Sequence, residues 1–150
     1  MHPLLEDYFD RLTQLHDEIK AALDGLAPEA LDWVPGEGMN SLAVLVTHTA
    51  GSERFWIAQM AGGQDVERVR SEEFEAQDLT VEKLVERLDA SLAENRHTLE
   101  ALTVDDLARI LPHPDGREFR VGWSLLHALD HVAQHTGHIQ LTRQLWDQRG

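Results

Sequence analysis

The chain has no cysteine among its 150 residues. That excludes disulfides, thiolate metal ligands and a protein-borne thiol nucleophile. Any metal is left to His, Asp or Glu, and any thiol chemistry needs a thiol carried in by a small molecule. Positive charge is scarce as well: Lys20 and Lys83 are the only lysines, and 13 basic residues stand against 27 acidic ones, for a formal charge of -14. So acidic a surface repels nucleic acid and anionic lipid, and neither is expected as a partner. No run approaches the roughly 20 apolar residues of a membrane span, and no basic stretch followed by an apolar one marks a signal peptide. The expectation is a soluble, cytoplasmic protein of one domain, residues 1–150.

What the chain has is helical periodicity. Leu5, Tyr8, Leu12, Leu15, Ile19 and Ala22 step by three and four, predicting a helix over about residues 3–24 with one buried seam. The segment "APEALDWVPGEGMN" holds two prolines and two glycines and cannot be one helix; Trp33 within it is expected to plug the bundle end. A second helix is predicted from a cap at Asn40 or Ser41 to about 61–63, with Leu42, Leu45, Val46, Phe55, Trp56 and Met60 as its apolar residues. A polar linker over 64–78 follows. Thr80 is the expected cap of a third helix, whose seam runs through Val81, Leu84, Leu88, Leu92, Asn95, Leu99 and Leu102. "TVDDLARIL" reads as a short helical turn. "PHPDGREFRV" reads as a small hairpin turning at Asp115-Gly116. The last helix begins near Gly122 or Ser124 and runs to about 146. Four periodic segments joined by long connections predict an all-α four-helix bundle.

There are nine histidines, and His127, His131, His135 and His138 crowd the last helix. Residues four apart lie on one face of a helix, so His131 and His135 project side by side, the spacing by which a helix offers two imidazoles to one metal ion. Such a pair also occurs on solvated faces. Here Leu129, Val132, Ile139 and Leu145 surround the stripe, which makes it partly buried. A third ligand must come from another element, and His48, on an apolar face of the second helix, is the best candidate. His138 and His127 continue the stripe; His138 could be a fourth ligand and His127 a rim residue, but hydrogen bonding or packing is the favoured reading for each over ligation. His2, His16, His97 and His113 have no matching neighbour and are expected on the surface. Glu53 and Arg54 could contact substrate, but a surface pair is the favoured reading. Trp56, Trp123 and Arg143 are candidates for the pocket mouth. The alternatives are core packing for the two tryptophans and a snorkelling stem for Arg143.

"NSLAVLVTHTAGSERFW" and "LLHALDHVAQHTGHIQLTRQL" resemble the two signature segments of the DinB-like (YfiT-like) metalloenzyme superfamily. In that family a Ser-initiated second helix carries one His, and the last helix carries H-x-x-x-H-x-G-Q. The flanking "LDWVPGEGMNS" and "FRVGWSLLHAL" resemble the family too. The resemblance implies a four-helix bundle with a divalent metal, usually zinc or nickel, held by His48, His131 and His135. It also implies a homodimer, for which Leu4, Phe9, Val85 and Leu88 are candidate contact residues. Its characterised members are transferases or isomerases that use a low-molecular-weight thiol such as bacillithiol or mycothiol. One departure is His138, which stands where many members have Gln.

Three neutral imidazoles leave a metal its full 2+ charge, which lowers the pKa of a bound water or an incoming thiol. The expected function is therefore a metal-dependent thiol S-transferase acting on a small-molecule substrate in detoxification. A non-catalytic metal or small-ligand binding module and a metal-dependent hydrolase are the alternatives on the same bundle. Other schemes find no support: there is no G-x-S-x-G elbow and no Gly-rich phosphate loop after a strand.

Overall fold

The computed structural model describes residues 1–150. In chain order the helices are α1 (Pro3–Leu23), α2 (Pro28–Asp32), α3 (Leu42–Arg54), α4 (Arg70–Glu73), α5 (Val81–Ala101) and α6 (Val121–Gln148). Two short strands, β1 (Ile110–Pro112) and β2 (Glu118–Arg120), precede α6. The four long helices α1, α3, α5 and α6 form the bundle. α3 packs on α6 and α5, and α1 lies across the same two helices.

The seams fix this arrangement. Leu5, Leu12, Leu15, Ile19 and Leu23 bury one stripe of α1, Leu84, Leu88 and Leu99 one stripe of α5, and Val132 and Ile139 part of α6. Burying each such side chain contributes about 1.5–3 kcal/mol relative to exposure. α3 differs: every residue from Leu42 to Ala50 is buried. It is the central helix and has no solvent face, so its pattern is not amphipathic. Because Leu88 is fully buried, it cannot belong to a contact between copies.

Ends and connections follow from local chemistry. The Ser41 hydroxyl accepts from the Val44 N–H at 3.2 Å and Thr80 from that of Lys83 at 3.3 Å, capping α3 and α5. Arg143 reaches from α6 to the carbonyls of Ala22 and Asp24, at 3.0 and 2.8 Å, and caps the end of α1. It is therefore an end cap and not part of a pocket mouth. Trp33 packs edge-on against Trp146, ring centroids 5.7 Å apart. The hairpin pairs Leu111 with Phe119 and turns through Gly116 at φ +89, a left-handed conformation that glycine adopts without strain.

α3 does not stop at Arg54. It continues as a π-helical turn, Phe55–Ala61, in which Gly62 N–H bonds to the carbonyl of Ile57. The wider turn shifts the phase of Phe55 and Trp56, and Ser124 of α6 donates to the Trp56 carbonyl at 2.8 Å. A seven-residue π turn carries no periodicity signal, but such turns concentrate at functional sites.

A buried polar network crosses the bundle. His16, Glu53, Ser91 and Asn95, from α1, α3 and α5, are each 0% exposed. His16 Nε2 lies 2.6 Å from Glu53 Oε2, Ser91 donates to Glu53 Oε1 at 3.0 Å, and Asn95 donates to the same oxygen. Two surface expectations are thereby corrected. His16 faces the interior because its partner lies on another helix, and Glu53 pairs with His16 while Arg54 turns outward to Glu94.

Candidate metal centre

α3 presents His48 toward α6, where His131 and His135 lie one turn apart. His48 Nε2 is 3.3 Å from His131 Nε2, and His135 Nε2 is 3.2 Å from the same atom. One nitrogen from each ring falls within a group spanning 4.8 Å. Two nitrogens bound tetrahedrally to one zinc at about 2.0–2.1 Å would lie roughly 3.3 Å apart, so the spacing fits a shared cation.

The tautomers fit as well. His48 Nδ1 donates to Glu73 Oε1 at 3.0 Å. The carboxylate only accepts, so the proton sits on Nδ1 and the Nε2 lone pair faces the cluster. Arg68 holds Glu73 in turn with two hydrogen bonds of 2.8 Å. Burial pushes the Glu73 carboxyl up, but the Arg68 hydrogen bond and charge, with His48, outweigh it and hold it below its usual range. Gly51, one turn beyond His48, makes room for this carboxylate, since a Cβ there would lie 1.9 Å from Glu73 Oε2. On α6, His135 Nδ1 lies 3.2 Å from His138 Nδ1. With the His135 proton donated to His138, its Nε2 is also left bare. His138 thus supplies the hydrogen-bonding partner at the position where Gln is usual.

Burial, and then the neighbouring His135, His48, His127 and Arg68, push the His131 ring down to about 3. Burial with His48 and His138 pushes His135 down to about 4. Both rings are neutral at pH 7, with lone pairs available to a cation. A free imidazole titrates near 6.5, so the unfolded chain takes up these protons first. Their contribution to folding is full above about pH 6.5 and is lost as pH falls toward the folded values of about 4 and 3.

Beside the cluster opens a cleft of about 530 Å³ that reaches His48 and His131. Its walls are aromatic. Trp56, 8% exposed, stacks on His113 at 5.3 Å and meets His127 edge-on at 4.6 Å. His113 is therefore a wall residue rather than a surface one; the hairpin folds it back over Phe55 and Trp56. Trp123 stacks on His127 at 4.9 Å and continues outward to Phe119 at 4.2 Å. Burial lowers the His127 pKa, which keeps this ring neutral.

Sequence reasoning missed Glu73 and Arg68. Both fall in the 64–78 stretch read as a polar linker, where neither period nor spacing sets them apart. The signal was indirect: an inward His needs a partner for its second nitrogen.

Fold and cluster together define a helical-bundle protein with a three-histidine cluster open to a cleft. The chain belongs to the DinB superfamily, whose family model matches residues 11–139. A conserved protein from Enterococcus faecalis superposes with a TM-score of 0.81 at 16% identity, covering 99% of this chain and 100% of that one. YfiT from Bacillus subtilis, described as "a probable metal-dependent hydrolase with an unusual four-helix bundle topology", matches with a TM-score of 0.76 at 16% identity, over 96% and 88% of the two chains. The mycothiol-dependent maleylpyruvate isomerase matches with a TM-score of 0.65 at 16% identity, over 89% of this chain and 59% of that one. At these identities the likeness is one of fold. No curated protein matches the sequence.

Proposed function

We propose that His48, His131 and His135 hold one divalent cation, zinc or nickel, and that the protein is a metal-dependent transferase that activates a low-molecular-weight thiol for attack on a small electrophile, in detoxification. The observation that carries this reading is the convergence of three imidazole nitrogens at 3.2 and 3.3 Å on the wall of an open cleft. A cation held by these three rings would supply Lewis-acid activation, which lowers the pKa of a thiol.

The chain's own residues do the rest. Glu73 and Arg68 fix the His48 ring, and His138 fixes that of His135. Phe55, Trp56, His113 and His127 present flat faces that exclude water and align an electrophile beside the thiol. With no cysteine to compete, the incoming thiol is the nucleophile. A hydrolase using water in place of the thiol is the second reading, favoured by the likeness to YfiT.

Activity should disappear with chelator, return with zinc or nickel, and rise with pH as thiolate forms. Steady-state assays pairing bacillithiol- and mycothiol-type thiols with several electrophiles check this. Turnover that is indifferent to thiol would favour the hydrolase. Turnover undiminished in His135→Ala would exclude the mechanism, and none under any pairing would leave a binding module.

We further propose that two copies associate through α6. Leu126, at 67% exposure, and Leu141, at 50%, recur on one side of that helix. Exposed Ala133 and Gly137 lie between them, so a second helix could approach closely. Light scattering at micromolar concentration should give twice the chain mass of 17.0 kDa; a value near one chain mass excludes the dimer.

A further inference from the structure

We propose that the cleft is a subsite for a small carboxylate with a flat, unsaturated or aromatic body, and that Arg70 is its principal counter-ion with Arg117 second. This rests on the functional reading only in taking the cleft as the substrate's seat.

None of the 27 acidic residues lines the cleft, whereas Arg68, Arg70 and Arg117 do. In a chain of net charge -14 a cleft lined by cations and no carboxylate is a local exception, and a cation there not compensated by a neighbouring carboxylate draws an anion to it. The three arginines are not equally free. Arg68 is held by Glu73 through two bonds of 2.8 Å. Arg117 is held by Asp115 at 2.6 Å. Arg70 makes no ion pair; its guanidinium lies 4.9 Å over the Phe74 ring. Phe74 in turn packs 4.9 Å from the His48 ring. An unsaturated fork of donors thus stands one ring away from the histidine cluster.

The two halves of the cleft specify two halves of a ligand. A guanidinium edge matches a carboxylate with two parallel hydrogen bonds. The cleft wall formed by Phe55, Trp56, His113 and His127, packed ring on ring with His113 stacked on Trp56 at 5.3 Å, matches a flat π body laid against it. A bare inorganic anion would leave the aromatic wall unused.

Isothermal titration at low ionic strength compares benzoate, benzamide and inorganic phosphate, on zinc-loaded and on chelator-stripped protein. Benzoate should bind about ten-fold more tightly than benzamide in both forms, and more tightly than phosphate, with the gap narrowing as salt rises. Arg70→Gln should remove most of the preference and leave benzamide and zinc affinities unchanged. Arg96→Gln, whose guanidinium lies over Phe9 and away from the cleft, should leave it intact. Equal affinities for benzoate and benzamide overturn the proposal, as does a preference that survives Arg70→Gln combined with Arg117→Gln. A preference lost on removing zinc places the carboxylate on the ion and overturns it too. Phosphate binding as tightly as benzoate overturns the aromatic half of the assignment. The titration needs neither thiol nor turnover. A benzoate preference without transfer activity leaves the subsite standing, and transfer activity without the preference leaves the functional reading standing.

Discussion

His48→Ala should lower zinc affinity by more than about 100-fold, equivalent to about 2.7 kcal/mol, and Glu73→Gln should lower it by roughly 10- to 100-fold. The grading follows from the chain of contacts. His48 Nε2 faces His131 Nε2 at 3.3 Å, so its loss leaves two imidazoles on one helix, a weak and open pair. Glu73 touches the cluster only through His48 Nδ1, at 3.0 Å. Its replacement frees the ring and the tautomer but removes no ligand. His97→Ala, an exposed position on α5, serves as the control and should change nothing. Competition against a chromophoric chelator gives the affinities. If His48→Ala and His97→Ala bind zinc equally well, the three-histidine assignment is wrong. If Glu73→Gln matches the unaltered protein, Glu73 does not orient His48.

The same contacts explain what was legible in the sequence. His131 and His135 lie on one helix, so their pairing is a matter of spacing. His48 lies 83 residues from His131, and only its place on an apolar face and the resemblance of its surroundings tied it to them. The bundle was legible because α1, α5 and α6 each bury a stripe, which leaves a period in the sequence. Residues whose partners sit on other elements leave no such trace. Glu73 lies in an aperiodic connection, and His113 is folded inward by a hairpin that fixes direction only once it packs on α6. His16 is adjacent to Leu15 of the seam, but nothing local tells whether its ring turns in or out. Asn95 was the one clue to the polar interior: it occupies a seam position of α5, and an amide there needs a partner.

That interior yields the second large effect. Glu53→Ala should destabilise the protein by about 3–5 kcal/mol, the range for removing one member of a buried pair. The carboxylate accepts from three donors on the two neighbouring helices α1 and α5: His16 Nε2 at 2.6 Å, Ser91 Oγ at 3.0 Å and the Asn95 amide. All three are sealed from water, so none can be satisfied by solvent once Glu53 is gone, and each stranded group costs about 1–3 kcal/mol. Ser91 and the Asn95 amide keep only long contacts, to the Ala50 carbonyl at 3.5 Å and to Ser91 Oγ at 3.4 Å, and His16 Nε2 keeps none. Burial, and then the charge of Glu53, raise the Tyr8 pKa, keeping its hydroxyl as a donor to the Leu125 carbonyl at 2.7 Å. Replacing both residues of the pair, His16→Leu with Glu53→Leu, should cost less than the sum of the single changes, because the donor and its acceptor leave together. Urea denaturation of the metal-free protein measures each variant. A loss below about 1 kcal/mol for Glu53→Ala, or strict additivity in the cycle, would show that the three helices are joined by their apolar seams alone. Zinc affinity should survive all of these changes, since Glu53 makes no contact with His48, His131 or His135, and this separates a weakened bundle from a damaged site.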